Sequence, residues 1–375
     1  MAKICILGDI CPDNDYRKFF DNDSLALSQD ILKIINQADY AIANLECPVT
    51  EGTNRITKCG PCLKAKPADL QLLKNAGFNA LSLANNHILD YGINAAEETI
   101  SRCNKIGIET FGAGNKKDAK KALIKQIGDK TVGFLSFAEQ EFNLATDQTV
   151  GANHFDPYES LQEIHKLKKE VDLLIVLYHG GIEYYQYPSP MLQKKCRTMA
   201  EFGADIILCQ HSHCIGTIER HEKSIIVYGQ GNSIFGYRKD DDSWNEGLII
   251  EVDSDSPIDI DFHLIKATEQ GIILADNSET DNRVKEILAI SESLKDPVFI
   301  NKSWQTFVNT KKGLYYPLLY GLNRIFNKLN RILGNKPIDL LYNKKAQMIT
   351  MNTIRCEAHY EVSLTMLEDK VYGKK

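Results

Sequence analysis

Short apolar runs punctuate the first two-thirds of the chain. KICILG (3–8), YAIANL (40–45), ALSLA (80–84), VGFLSF (132–137), LLIVLY (173–178), DIILCQ (205–210), SIIVYG (224–229) and GLIIEV (247–252) have the length and β-branched content of buried strands. Amphipathic stretches near 24–37, 67–76, 93–105, 156–170 and 189–202 lie between them. In the stretch 156–170, Asp156 is placed as an N-cap and Pro157 as the first helical residue. Alternating strands and helices predict an α/β fold. The closely spaced strands after 224 add a mixed character, which suits two packed sheets. Past residue 266 charged and Asn-rich helical patterns replace the apolar runs. The expected division is therefore a domain at 1–265 and a mainly helical region at 266–375, with no internal repeat.

Composition narrows the class. At 375 residues, 43% apolar and 25% charged, the chain has the make-up of an ordinary globular protein. A net charge of -6 argues against general nucleic-acid binding, which needs a basic footprint. The first apolar run meets Asp9 before a signal-peptide core can form, and no apolar stretch reaches the ~18 residues of a membrane span. A cytoplasmic location is the expectation. Ten cysteines are scattered, several inside apolar runs, as small buried hydrophobes in a reducing compartment. Cys59 and Cys62, in TKCGPCLK, copy a redox spacing but lack the strand-to-helix setting such a motif needs.

Five apolar runs end by delivering a side chain competent to bind metal. ICILG leads to Asp9, YAIANL to Glu46, ALSLA to Asn85, Asn86 and His87, LLIVLY to His179, and DIILCQ to His211 and His213. In an open α/β sheet, functional groups gather beyond the carboxyl ends of the strands, so these residues are expected to converge. Each has an ordinary reading alone: Asp as a cap, Asn as a turn former, His as a hydrogen-bonded core residue. The coincidence of four of nine histidines at strand ends tips the balance. Asp9, Glu46, Asn86, His179, His211 and His213 form a mixed nitrogen and oxygen donor set suited to Mn, Fe or Zn. With one bridging carboxylate they suffice for two divalent ions ~3.5–4 Å apart. Lys58, Lys64 and Lys66 either bind an anionic substrate as point charges or form a solvated loop. Glu183 is placed to contact substrate or metal, Tyr184 and Tyr185 to wall a cleft, and Asn232 to add a hydrogen bond. Gly229 and Gly231 would let backbone approach the site closely.

The segments ILGDI, ANLECPVT, NALSLANNHILDYG, LYHGGIEYYQYPSP, GADIILCQHSHCIG and VYGQGNSIF resemble, in order, the CapA-type poly-γ-glutamate capsule biosynthesis family of the metallophosphoesterase superfamily. The resemblance covers roughly residues 1–265 and implies an αββα sandwich of two mixed sheets. It further implies that Asp9 and His213 hold one metal, that Asn86, His179 and His211 hold a second, and that Glu46 bridges them. His87 would then be the acid that protonates the leaving group, oriented by Asp90. Two departures stand out. Cys11 occupies the position of the superfamily's first histidine, and Glu46 replaces the usual bridging Asp.

The expected function is metal-dependent hydrolysis of a phosphoester or γ-glutamyl-type amide, linked to capsule or cell-surface polymer assembly, with a metal-activated hydroxide as nucleophile. Its substrate would be an anionic small molecule or polymer. The alternative is a non-catalytic scaffold or accessory subunit of a polymer-synthesis complex. In the C-terminal region, 315–336 places Leu322, Ile325, Phe326, Leu329 and Leu333 at helical spacing beside Arg324, Lys328 and Arg331. Such a stripe either lies on an anionic membrane surface or packs on its own domain.

Overall fold

Apolar residues on both faces of the central strands dictate a layered architecture. In β1 (Lys3–Ile10), Ile4 and Ile6 face one core while Cys5 and Leu7 face another, and all four are fully buried. The strand Leu173–His179 behaves likewise, with Leu173, Ile175 and Leu177 on one side and Leu174, Val176 and Tyr178 on the other. Strands buried on both faces need a layer on each side. The computed structural model, which describes residues 2–12, 16–256, 260–319, 324–334 and 336–372, supplies them.

The first sheet contains β1, β2 (Tyr40–Leu45), β3 (Ala80–Ser82), β4 (Glu109–Phe111), β13 (Asn232–Ile234), β14 (Glu246–Asp253), β15 (Ile260–Thr268) and β16 (Gly271–Leu274). Its order is β16-β15-β14-β1-β2-β3-β4, with β13 also pairing with β1. The strands β1 to β4 are parallel, and β14 to β16 form an antiparallel meander. The second sheet has β6 (Leu123–Ile127), β7 (Lys130–Ala138), β9 (Leu173–His179), β10 (Ile206–Gln210), β11 (Ile218–His221) and β12 (Ser224–Val227), in the order β11-β12-β10-β9-β7-β6. A small pair, β5 (Ala113–Gly114) and β8 (Gly151–Ala152), stands apart.

The sheets face each other across a core that includes Ile6, Ile42, Phe134, Ile175, Leu208 and Ile250. The helices Gln29–Gln37, Pro67–Asn75 and Gly92–Lys105 cover the outer face of the first sheet through Ile31, Ile35, Leu70, Leu73 and Cys103. The helices Ser160–Lys168 and Pro190–Glu201 cover the second through Ile164, Leu167, Cys196 and Met199. The result is the expected αββα sandwich.

Three expectations are corrected. Asp156 does not cap its helix, which begins at Ser160. Instead its Oδ1 accepts from the Tyr158 amide at 2.7 Å and its carbonyl from Ser160, closing a turn that contains Pro157. Sheet structure does not end at 265, because β15 and β16 run to Leu274. The helix Asn277–Ser291 then buries Ile287 in the core between the sheets. The chain accordingly divides into units at Met1–Lys302 and Ser303–Lys375. The described part of the stretch 315–336 lies in the helices Pro297–Leu319, Arg324–Ile332 and Lys336–Leu341, with a turn at 333–334 before the last of them, and Leu322 lies outside the described residues. Among the described residues, no helix is long and apolar enough to cross a membrane.

Gly231 shows how tightly the first sheet is closed over the loop that follows β12. Its φ is +73°, and a Cβ there would lie 2.5 Å from the carbonyl oxygen of Glu246. Gly231→Ala meets both a backbone angle that L side chains resist and an immovable neighbour. It is expected to cost about 1–3 kcal/mol, read as a fall in thermal midpoint; an unchanged midpoint would contradict this account of the closure.

Candidate metal centre

The carboxyl ends of strands from both sheets meet at one edge of the sandwich. β1 carries Asp9 next to its end, and a break in its register with β2 between Ile6 and Asp9 re-aims the chain there. Glu46 follows β2 directly, and the loop after β3 supplies Asn85, Asn86, His87 and Asp90. β9 ends on His179, which pairs in register with Gln210 of β10, so His211 and His213 emerge alongside it. β13 places Asn232 opposite Asp9.

Asp9, Glu46, Asn86, His87, Asp90, His179, His211, His213 and Asn232 are all buried. Glu46, His179 and His211 bring one ligand atom each within 4.8 Å of one another, and so do Asp9, Glu46 and His213. The two groups share Glu46. Asn86 joins the first, its Oδ1 lying 3.0 Å from His179 Nε2. Cys11 is buried but belongs to neither group.

Polar accounting tests whether this donor set suits a cation. Neither carboxylate oxygen of Glu46 has a hydrogen-bond partner, although the residue is fully buried. His211 Nδ1 is likewise buried and without a partner. An unpaired carboxylate in such a place is costly unless it takes up a proton or meets a cation. Burial pushes Asp9 up to about 7, with the nearby charge of Glu46 adding to the shift. Burial pushes Glu46 up to about 8, against the opposing influence of His87. Burial depresses His179 and His211 to about 4 each and holds His213 well below the usual imidazole range. The His179 and His211 rings, centred 4.9 Å apart, oppose each other's protonation. Neutral imidazoles beside unsatisfied carboxylates are the forms in which these groups bind metal. The residues fit one or more divalent cations.

The supporting hydrogen bonds fix each donor. Asn44 Nδ2 donates to Asp9 Oδ1 at 2.7 Å and lies 3.1 Å from His179 Nδ1. Asp9 Oδ2 accepts from the His211 amide at 3.0 Å. Asn85 is a brace, donating to Leu45 O and accepting from the His87 amide. His87 Nδ1 sits 2.6 Å from Asp90 Oδ2, and Asp90 also takes the Lys58 ammonium at 2.5 Å and the Leu63 amide at 2.7 Å. That leaves His87 Nε2 facing the centre, 3.9 Å from Glu46 Oε1.

Backbone strain concentrates here. His211, His213 and Tyr184 have φ of 82°, 53° and 59°, a region that costs non-glycine residues about 1–3 kcal/mol. The Tyr184 amide bonds Ser212 O at 2.9 Å, tying the two loops together. At Gly229 a Cβ would lie 2.6 Å from Cys214 O, so the backbone of the His211–His213 loop presses against it. Gly231, by contrast, packs against Glu246 and Gly247 of β14.

The metal groups open onto a cleft of about 710 Å³ whose lining includes Lys58, Asn86, His87, Glu141, Glu183, Tyr184, His213, Arg238 and Trp244. Of the expected substrate contacts, Lys58 and Glu183 lie in it, although the Lys58 ammonium is already engaged by Asp90. Lys64 does not line the cleft; its ammonium bonds Gly52 O at 2.8 Å and lies over the Tyr91 ring. Lys66 pairs with Asp21. Asn232 supports His213, with Oδ1 2.9 Å from its Nδ1, while its own Nδ2 donates to Trp244 O. Tyr184 walls the cleft, whereas Tyr185 is buried against Tyr187.

Three residues escaped the sequence reading. Asn44 interrupts a fully buried strand, and a polar residue so placed must have a partner, which was a usable signal. Arg238 lies over the Trp244 ring at 3.2 Å and donates from Nη1 to Tyr184 Oη at 3.1 Å. Glu141 reaches Asn86 Nδ2 at 3.4 Å. Glu141 stands three residues past the end of β7, so the apolar run VGFLSF was a usable signal, whereas Arg238 follows only the three-residue strand β13, which no pattern marked.

Over 221 residues the chain is 32% identical to the capsule biosynthesis protein CapA of Bacillus anthracis, covering 56% of this chain and 54% of that protein. Over 216 residues it is 31% identical to the PGA biosynthesis protein CapA of Bacillus subtilis (strain 168), covering 56% and 57%. The chain thus spans about half the length of the curated relatives it matches. Among solved structures, a 5'-nucleotidase from Candida albicans SC5314 aligns at 13% identity with a TM-score of 0.40, covering 83% of this chain and 57% of that one. Residues 3–237, which hold every donor just described, match the family of bacterial capsule synthesis proteins PGA_cap, and the chain belongs to that family, within the metallophosphoesterase-like superfamily.

Proposed function

We propose that the protein is a two-metal hydrolase acting on an anionic phosphoester or γ-glutamyl-type amide during assembly of a capsule or other cell-surface polymer. The observation that carries this reading is the pair of unpartnered oxygens on fully buried Glu46, shared by two groups of donors. Asp9 and His213 would hold one ion, Asn86, His179 and His211 the other, with Glu46 between them. When bound, such ions acidify a water and take up negative charge developing on the substrate.

The protein's own groups would do the rest. Asp90 fixes the His87 ring through Nδ1, so that Nε2 is left to give a proton to the leaving group. Lys58 holds Asp90 in turn. Arg238, stacked on Trp244 and tethered by Tyr184, presents a guanidinium at the cleft wall for an anionic part of the substrate. The family membership and the printed functions of the CapA proteins support the link to capsule assembly. A scaffold role is the alternative, favoured by Cys11 standing outside both donor groups.

Elemental analysis of protein purified without chelators, then equilibrated with Mn, is expected to give about two equivalents of metal. His211→Ala and Asp9→Asn should each lose at least one. A wild type that takes up no Mn, Fe or Zn would leave the scaffold reading in place. With Mn bound, His87→Asn is expected to keep its metal while losing about 10²–10⁴ in turnover of aryl phosphoesters. Equal turnover would remove His87 from the mechanism.

The pKa shifts also predict how the metal-free protein responds to pH. Asp9 and Glu46, raised from ordinary values of 3.8 and 4.5 to about 7 and about 8, favour the folded state at low pH and lose that contribution as pH rises through the folded values. His179 and His211, lowered from 6.5 to about 4, act oppositely, adding stability as pH rises from about 4 to 6.5. Above pH 6.5 only the carboxylate contribution still changes. The thermal midpoint of chelator-treated protein is expected to fall from pH 6.5 to about 8.5, and saturating Mn should flatten that slope. A midpoint that rises over this range would contradict the assignment.

A further inference from the structure

The unit Ser303–Lys375 differs in charge from the rest of the chain. It carries twelve Lys and Arg against five Asp and Glu, a net charge of +7, while residues 1–302 carry -13. Its helix Arg324–Ile332 is also turned the opposite way from a helix packed in a water-soluble core. Asn330 is the fully buried residue, with Oδ1 accepting from the Ile338 amide at 3.1 Å. The apolar stripe faces outward instead: Ile325 is 74% exposed, Leu329 51%, Ile332 70% and Leu333 54%. These four recur at helical spacing on one face, and the exposed Lys328 and Arg331 border it.

We propose that this helix lies in the interface of an anionic lipid bilayer, its apolar stripe entering the acyl boundary and its basic residues reaching the phosphate headgroups. Polar side inward and apolar side outward is costly in water and favourable at a membrane surface. The positive charge of the whole unit selects an anionic partner. A fluid surface also suits the neighbouring exposure better than a shaped protein groove does, because Leu340 on the next helix is 84% exposed. Separate apolar side chains can enter lipid without a complementary wall. The inference is independent of the hydrolase reading, since no residue of the metal centre takes part.

The test is co-sedimentation of the full chain with vesicles of phosphatidylcholine alone or with about one-third phosphatidylglycerol. At least tenfold stronger binding to the anionic vesicles is expected, weakening at about 0.5 M salt. Leu329→Glu combined with Ile332→Glu should abolish binding. Lys328→Glu combined with Arg331→Glu should abolish the preference for anionic lipid, whereas Lys33→Glu, an exposed charge reversal in the first unit, should change little. Circular dichroism and the thermal midpoint serve as folding checks. Absence of binding to anionic vesicles, or undiminished binding by both paired variants, overturns the proposal. A wild-type dimer that these same pairs convert to monomer would also overturn it, assigning the stripe to a second copy of the chain.

Discussion

Two carboxylates are held away from water where the two sheets meet, and the surrounding structure is arranged around the cost of keeping them there. Asp9 is partly relieved by Asn44 and by the His211 amide; Glu46, with neither oxygen in a hydrogen bond, is relieved less, chiefly by the nearby charge of His87. The imidazoles of His179, His211 and His213 are themselves kept neutral by burial, so those three offer no standing positive charge. A concentration of unmet charge this deep is destabilising for a metal-free chain and becomes an asset once a cation enters. The strained backbone at His211 and His213 belongs to the same compromise. The large buried surfaces of three apolar cores hold in place a geometry that the local backbone would not choose.

Much of this was legible before any coordinates. The apolar runs of β1, β2, β9 and β10 are long, β-branched and buried on both faces, so their pattern could hardly be taken for anything else. The donors at their ends came with them. Short strands such as β4 and β13 were not legible, because three residues carry too little periodicity, and their pairing is decided by neighbours far away in sequence. β15 and β16 were missed for a related reason. They lie near the rim, where half-exposed positions break the apolar run. Among substrate-facing residues the reading was weakest. Lys64 and Asn232 sat near motif segments, but their side chains turned to Gly52 and to His213 respectively. Proximity in sequence to a ligand says little about which way a long polar side chain will point.

The cleft combines features that pull in different directions. Glu141 and Glu183 bring exposed carboxylates to its lining, while Arg238 and the aromatic rings of Tyr184 and Trp244 form a cationic and apolar wall. A cation held by Asp9 and Glu46 would offset the negative charge beneath the cleft without altering the wall. The same cleft would then accept an anion at the centre and hold a second one at its edge.

The long reach of the donor set along the chain has one more consequence. Asp9 and His213 stand 204 positions apart, yet they serve the same group, and Glu46 and His179 link the intervening strands. No fragment short of nearly the whole sandwich can assemble these donors. Any ion bound by these donors would thus be coupled to the fold through the entire domain rather than through a loop. If these donors take up a cation, metal supply would act as a quality check on folding: a chain able to hold the ion would, by that fact, have brought its distant strands into register.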